Sequence, residues 1–112
     1  MLSSSYRNRL ARAMPEEEEA PPPPPPYDYL VSGTLNPDAT GEYSDAGIHN
    51  GQPYYARDPN TYFLWWWPAD SWWVISTALD NVGRPGCWHS AAILGIYTPA
   101  WSYTGDATVT AP

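Results

Sequence analysis

Between Thr61 and Leu79 the chain reads TYFLWWWPADSWWVISTAL, and this stretch holds five of the seven tryptophans. Trp65-Trp66-Trp67 and Trp72-Trp73 flank Pro68-Ala69-Asp70-Ser71. Aromatic and β-branched residues fit a pleated, half-buried surface, so both flanks read as strands. The insert between them has the chemistry of a tight turn. The stretch is therefore expected to fold as a β-hairpin whose cross-strand aromatic pairs form the centre of a domain. Consecutive tryptophans on a strand point to opposite faces, so they cannot all enter one core. Trp66 must oppose Trp65 and Trp67, and Trp72 must oppose Trp73. The second face is either a partner interface, because a large bare apolar patch marks one, or it is covered by loops from Val82 to Leu94. On the interface reading Trp66 is the first candidate for the outward side and Trp72 the second, since tryptophan is enriched at binding hot spots.

Around this hairpin the pattern is that of strands and turns. Leu30 to Leu35 reads as a strand, and Asn36-Pro37-Asp38-Ala39 as a turn with proline at its second position. Gly41 to Ser44 reads as a short strand. Asn50-Gly51 is the strongest hairpin signal in the chain, a type I′ turn joining Gly47-Ile48-His49 to Gln52 through Ala56. Asp58-Pro59-Asn60 is a further turn, leading into Tyr62 to Trp67. Trp72 to Leu79 completes an antiparallel meander of roughly four strands. Asp80 to Gly86 reads as a loop, followed by short strands at Cys87-Trp88-His89, Gly95 to Thr98 and Ala107 to Thr110. Gly41-Glu42-Tyr43-Ser44-Asp45-Ala46 echoes Gly95-Ile96-Tyr97-Thr98-Pro99-Ala100. Ser32-Gly33-Thr34 likewise echoes Thr104-Gly105-Asp106, in inverted order. That order suits first and last strands lying side by side, which closes the sheet and removes an exposed edge. The fold class is thus all-β, a small antiparallel β-barrel or β-sandwich over residues 29–112, with almost no helix.

Residues 1–28 have a different composition and form an extended N-terminal arm. MLSSSYRNRLARAM carries three arginines and no acid. A short helix capped by Ser3, Ser4 or Ser5 would place Tyr6, Leu10 and Met14 on one face. Alone, a helix of this length is marginal. Tyr6, Arg7, Arg9, Leu10 and Arg12 are the candidate contacts of a docking peptide that orders on a partner. Glu16 to Glu19 is a like-charge run that stays solvated. Pro21 to Pro26 is a polyproline II rod about 19 Å long, at about 3.1 Å per residue. Pro24-Pro25-Pro26-Tyr27 also matches the PPxY pattern of WW-type ligands.

Charge and cysteine content exclude several classes. Five arginines and no lysine against twelve acids give a net charge of −7. A nucleic-acid binder needs cations to displace phosphate counterions, so no nucleic-acid partner is expected. No apolar run reaches membrane-spanning length, and no membrane partner is expected. The single cysteine, Cys87, forms no intrachain disulfide and no cysteine-based zinc site. Nor do residues 1–14 contain the apolar core of a secretory signal, so the expectation is synthesis in a reducing cytoplasm. His49 and His89 lack metal-ligand spacing, and no serine sits in a nucleophile elbow. No catalytic residue, metal or cofactor is expected, and the chain reads as a non-enzyme.

The order Gly41-Glu42-Tyr43, Asn50-Gly51-Gln52-Pro53-Tyr54-Tyr55, Leu64-Trp65-Trp66, Trp73-Val74-Ile75-Ser76 and Gly105-Asp106-Ala107-Thr108-Val109 resembles small aromatic β-domains in virion proteins of tailed bacteriophages and related viruses. The resemblance covers residues 31 to 110 and excludes the arm. It implies a virion-associated structural protein, in the manner of a capsid cement or decoration protein made in the host cytoplasm and placed on the outer capsid surface. Its partners would be the major capsid protein or other virion subunits, with homo-oligomers or symmetry-related self-contacts. The alternative is a carbohydrate-binding or host-recognition module of a tail or fibre device.

Overall fold

The computed structural model describes residues 26–57 and 61–112. Eight strands follow one another: β1 (Tyr29–Ser32), β2 (Gly41–His49), β3 (Gln52–Arg57), β4 (Phe63–Trp67), β5 (Trp72–Ser76), β6 (Gly86–Ser90), β7 (Gly95–Trp101) and β8 (Ala107–Thr110). Each pairs antiparallel with the next, and β8 pairs with β1, so the sheet is a closed barrel. Closure leaves no edge to aggregate. It decides between barrel and sandwich, and the described residues contain no helix. The expected docking helix and the turn at Asp58-Pro59-Asn60 lie outside the described residues.

Several boundaries differ from expectation. The first strand stops at Ser32 rather than Leu35. There Gly33 and Gly105 mark a crossing of two loops so tight that a Cβ on Gly33 would lie 2.6 Å from the Asp106 carbonyl oxygen. A Cβ on Gly105 would meet the Thr34 carbonyl oxygen. The Ser-Gly-Thr and Thr-Gly-Asp echo is this crossing, secured by the Asn36–Thr104 bridge. The expected short strands at residues 41–44 and 47–49 are one nine-residue strand. A bulge between Asp45 and Gly47 joins them, with the Gly47 N–H donating to Asp45 Oδ1 at 3.0 Å. The strand expected to run to Leu79 stops at Ser76, and the last strands but one are longer than expected.

The other echo is a structural equivalence. Gly41 pairs with Val31 and Gly95 with Val109, while Val31 and Val109 pair with each other. The two G-x-Y strands are thus related by an approximate two-fold axis through the β1–β8 pair. Buried Tyr43 and Tyr97 complete the likeness. Each hydroxyl donates at 2.7 Å to the carbonyl four residues upstream, Ala39 and Ile93 respectively.

Alternation along the strands divides the aromatics between two apolar clusters. Val31, Tyr43, Tyr55, Leu64, Ile75, Trp88, Tyr97, Ala107 and Val109 fill the barrel. Trp65, Val74 and Cys87 lie on its outside, beneath Leu79 and Val82 of the 77–85 loop. Trp65 is fully buried there, and its indole N–H donates to Ser76 Oγ at 3.0 Å. That hydroxyl donates in turn to the Ala78 carbonyl at 2.8 Å. A buried indole N–H without an acceptor would cost stability, and the serine removes that cost. Loop 77–85 is held from the β2–β3 tip, where His49 Nε2 lies 2.8 Å from Asp80 Oδ1. Asn50 Nδ2 donates to the same oxygen at 3.3 Å and to the Trp66 carbonyl at 3.0 Å.

Candidate functional site

The two ends of the barrel are finished differently. One end is closed by Tyr62, Tyr103 and Ala39, all buried. Arg57 lies over the Tyr62 ring at 4.7 Å and donates to the carbonyls of Asp38 and Thr40. Those bonds from Nη1, with one from Nη2 to Thr61 Oγ1, pair the two outer nitrogens in a setting where an unpaired charge would be costly, while the buried Nε has no partner among the described residues.

The opposite end carries the β2–β3 and β4–β5 hairpin tips, where strands outrun the closed ring. The Asn50-Gly51 turn has φ of 53° and 80°, the left-handed pair that type I′ requires. At Pro68–Ser71 the Ser71 N–H donates to the Pro68 carbonyl at 3.3 Å. These tight turns let the lumen-facing side of the sheet continue past the core. Register places Ile48 opposite Pro53 and Trp66 opposite Trp73. Extending the Tyr55–Leu64 pairing by two residues brings Pro53 beside Trp66. Ile48, Pro53, Trp66 and Trp73 therefore form one apolar row across four neighbouring strands. Ile48 is 70% exposed and the other three are half-buried. The Trp66 and Trp73 rings lie 5.4 Å apart, tilted by 57°.

The sequence expectation for the tryptophans is corrected here. The alternation is as expected, but Trp66 does not lie on the outer face. It shares the lumen side with Leu64, and the outward set is Trp65, Trp67 and Trp72. Alternation separates two sets without saying which faces inward. The lumen is already filled by Tyr43, Tyr55, Trp88 and Tyr97, which leaves no room for Trp65 at the same level. The outward set is the one covered by a loop, at Leu79 and Val82. Trp72 is half-buried there and stacks on His89 at 4.0 Å, with 17° between the planes. Burial holds the His89 imidazole below its ordinary value, against an opposing pull from Asp70. Tyr6, Arg7, Arg9, Leu10 and Arg12 lie outside the described residues.

A second feature was not signalled by any motif. An open pocket of about 580 Å³ is lined by Arg84, Pro85, Trp101 and Ser102. Trp101 is 57% exposed and sits at a φ of 62°. Its indole N–H donates to the Val82 carbonyl at 3.0 Å, and the Arg84 guanidinium lies 4.9 Å from the ring centroid. Only its tertiary neighbours bring Arg84 and Trp101 together, seventeen residues apart in sequence, so spacing could not have found the pair.

Among the described residues no group of three or more His, Cys, Asp or Glu side chains could hold a metal ion. Cys87 is buried and free, and burial pushes its thiol up, away from the reactive thiolate. The features on offer are partly exposed aromatic surfaces. Comparison with family models gave no match, and neither did comparison with curated proteins or with solved structures.

Proposed function

We propose that this chain is a structural accessory protein of a virion, a capsid cement or decoration protein. Its barrel would sit on the outer capsid surface, and its arm would dock on neighbouring subunits through Tyr6, Arg7, Arg9, Leu10 and Arg12. The observation that carries the reading is the unequal finish of the barrel. One end is capped by buried tyrosines and a bonded arginine, whereas the other presents Ile48, Pro53 and Trp66 beside Trp73, which packs against the core. Partly exposed aromatics of this kind supply hot-spot energy in protein interfaces. The virion as the larger assembly comes from the sequence resemblance. The acidic composition adds support, because it disfavours attachment to packaged nucleic acid.

The test is stoichiometry. Purified particles should contain the protein in a fixed ratio to the major capsid protein. Deleting residues 1–20 should abolish decoration while the far-ultraviolet circular dichroism of the barrel is retained. Full occupancy by the truncated chain would remove the arm as anchor, and absence of the protein from particles would remove the capsid reading.

The carbohydrate-binding reading is favoured by one observation, the exposed Trp101 face beside Arg84 in an open pocket. Sugars stack on such a face while an arginine meets polar or acidic substituents. Saturable glycan binding that is lost in Trp101→Ala, in a protein missing from particles, would put that reading first.

A further inference from the structure

After Tyr27 the arginines are Arg57 and Arg84, in a chain of net charge −7. Arg57 is tied to the Asp38 and Thr40 carbonyls and to Thr61 Oγ1. Among the described residues the Arg84 side chain has no hydrogen-bond partner, and the one ion pair joins His49 to Asp80. What Arg84 touches is the Trp101 ring. That contact uses the flat face of the guanidinium. Its N–H groups lie in the plane and stay free, as a fork that matches a carboxylate with two parallel hydrogen bonds.

The walls around this fork are built in advance. Trp101 pairs with Gly86 across β6 and β7, and its indole N–H is pinned to the Val82 carbonyl. The Ser102 N–H donates to the Pro85 carbonyl at 3.1 Å, which joins the two sides of the pocket. Ser102 Oγ gives its one hydrogen to the same carbonyl at 2.6 Å, so towards a ligand it can only accept. Trp101 holds its exposed ring at a φ of 62°, a left-handed conformation that bulky residues rarely adopt and glycine adopts freely. Backbone outliers of this kind cluster at ligand sites. The volume, about 580 Å³, is that of a small-molecule site.

A ligand for this pocket therefore needs a flat apolar face for the indole, a hydroxyl to donate to Ser102 and a planar anion for Arg84. Resting on the carbohydrate reading above, we propose that the pocket binds a sugar ring carrying a single carboxylate, a uronic or sialic acid unit. The C–H face of the pyranose stacks on Trp101, a ring hydroxyl donates to Ser102 Oγ, and the carboxylate pairs with the Arg84 fork. A neutral sugar leaves that fork unused. A sulfated or phosphorylated polymer brings many charges to an acidic domain with one free guanidinium, and the summed field repels it.

NMR titration of the nitrogen-15-labelled full-length chain tests the proposal. The probes are methyl glucuronide against methyl glucoside, which differ by a carboxylate in place of a hydroxymethyl, sialyllactose against lactose, and sodium acetate. The Trp101 indole signal, assigned by its absence from Trp101→Gly, should shift on binding. The acidic sugars should bind about tenfold more tightly than their neutral counterparts or better, the gain expected of a charge-assisted hydrogen bond. Arg84→Gln should bring methyl glucuronide down to the affinity of methyl glucoside. Trp101→Gly suits the backbone and should abolish binding of every sugar, while the other indole signals keep their positions and report a folded barrel. Equal affinity for acidic and neutral sugars, or an acid preference that survives Arg84→Gln, overturns the proposal and leaves the carbohydrate reading standing. Acetate binding as tightly as methyl glucuronide also overturns it, because the pocket is then a simple anion site. If no sugar binds at all, the proposal and the carbohydrate reading fall together.

Discussion

Trp65 and Trp66 are adjacent, yet they lie on opposite sides of the barrel wall, and truncating Trp65 measures that difference. Trp65 is fully buried under the 77–85 loop, between Val74 and Cys87. Its ring meets Trp67 edge-on at 5.8 Å and His49 at 6.2 Å. Replacing a buried tryptophan by alanine costs about 3–5 kcal/mol, from lost transfer energy and the cavity left behind. A domain of this size has a total stability of about 5–15 kcal/mol, so Trp65→Ala should consume a large share of it. Ser76→Ala removes the acceptor of the indole N–H and the donor to Ala78 without opening a large cavity. Its cost should be about 1–3 kcal/mol, that of stranding buried polar groups. In the double variant the Ser76 change should cost less, by about 1 kcal/mol, because the indole it served is gone. Urea unfolding of the full chain measures all three, and the midpoint for Trp65→Ala should fall by about 2 M with an unchanged slope. A Trp65→Ala loss below about 1 kcal/mol, or strict additivity with Ser76→Ala, would show that the outer cluster does not hold the loop.

Three other outcomes follow from the geometry. Gly51→Val should cost about 1–2 kcal/mol in urea unfolding through backbone strain alone, since φ is +80° and the space around its Cβ is empty; an unchanged midpoint means that the turn tolerates another conformation. Tyr43→Phe and Tyr97→Phe should each cost about 1–2 kcal/mol, and by similar amounts, because the two hydroxyls make equivalent buried hydrogen bonds. A neutral result at one site only would break the proposed two-fold equivalence. His89, depressed by burial, is protonated in the unfolded chain before the folded one, so stability should fall as pH drops below about 6.5 and level off below the folded value. Imidazole proton titration by NMR gives the midpoint, and His89→Gln should flatten that part of the pH–stability profile; a midpoint at or above the ordinary histidine value contradicts the burial argument.

The sequence by itself determined the all-β class and the hairpins, while the structure chose the closed barrel over the sandwich. Asn50-Gly51 and Pro68–Ser71 fix their turns through local backbone chemistry, which needs no tertiary partner. The inverted echo pointed to first and last strands side by side, and Val31 does pair with Val109. Strand lengths were less legible. The Asp45–Gly47 bulge keeps β2 continuous through residues that read as a break, and Gly33 ends β1 early because another loop crosses it. Tertiary structure alone decided which tryptophans face the lumen. A period of two divides Trp65, Trp66 and Trp67 into two sets, and only the volume enclosed by eight strands chooses between them. The same holds for the cover over the outer set and for the Arg84–Trp101 pocket. Both join residues distant in sequence, and their contacts exist only once the barrel has closed.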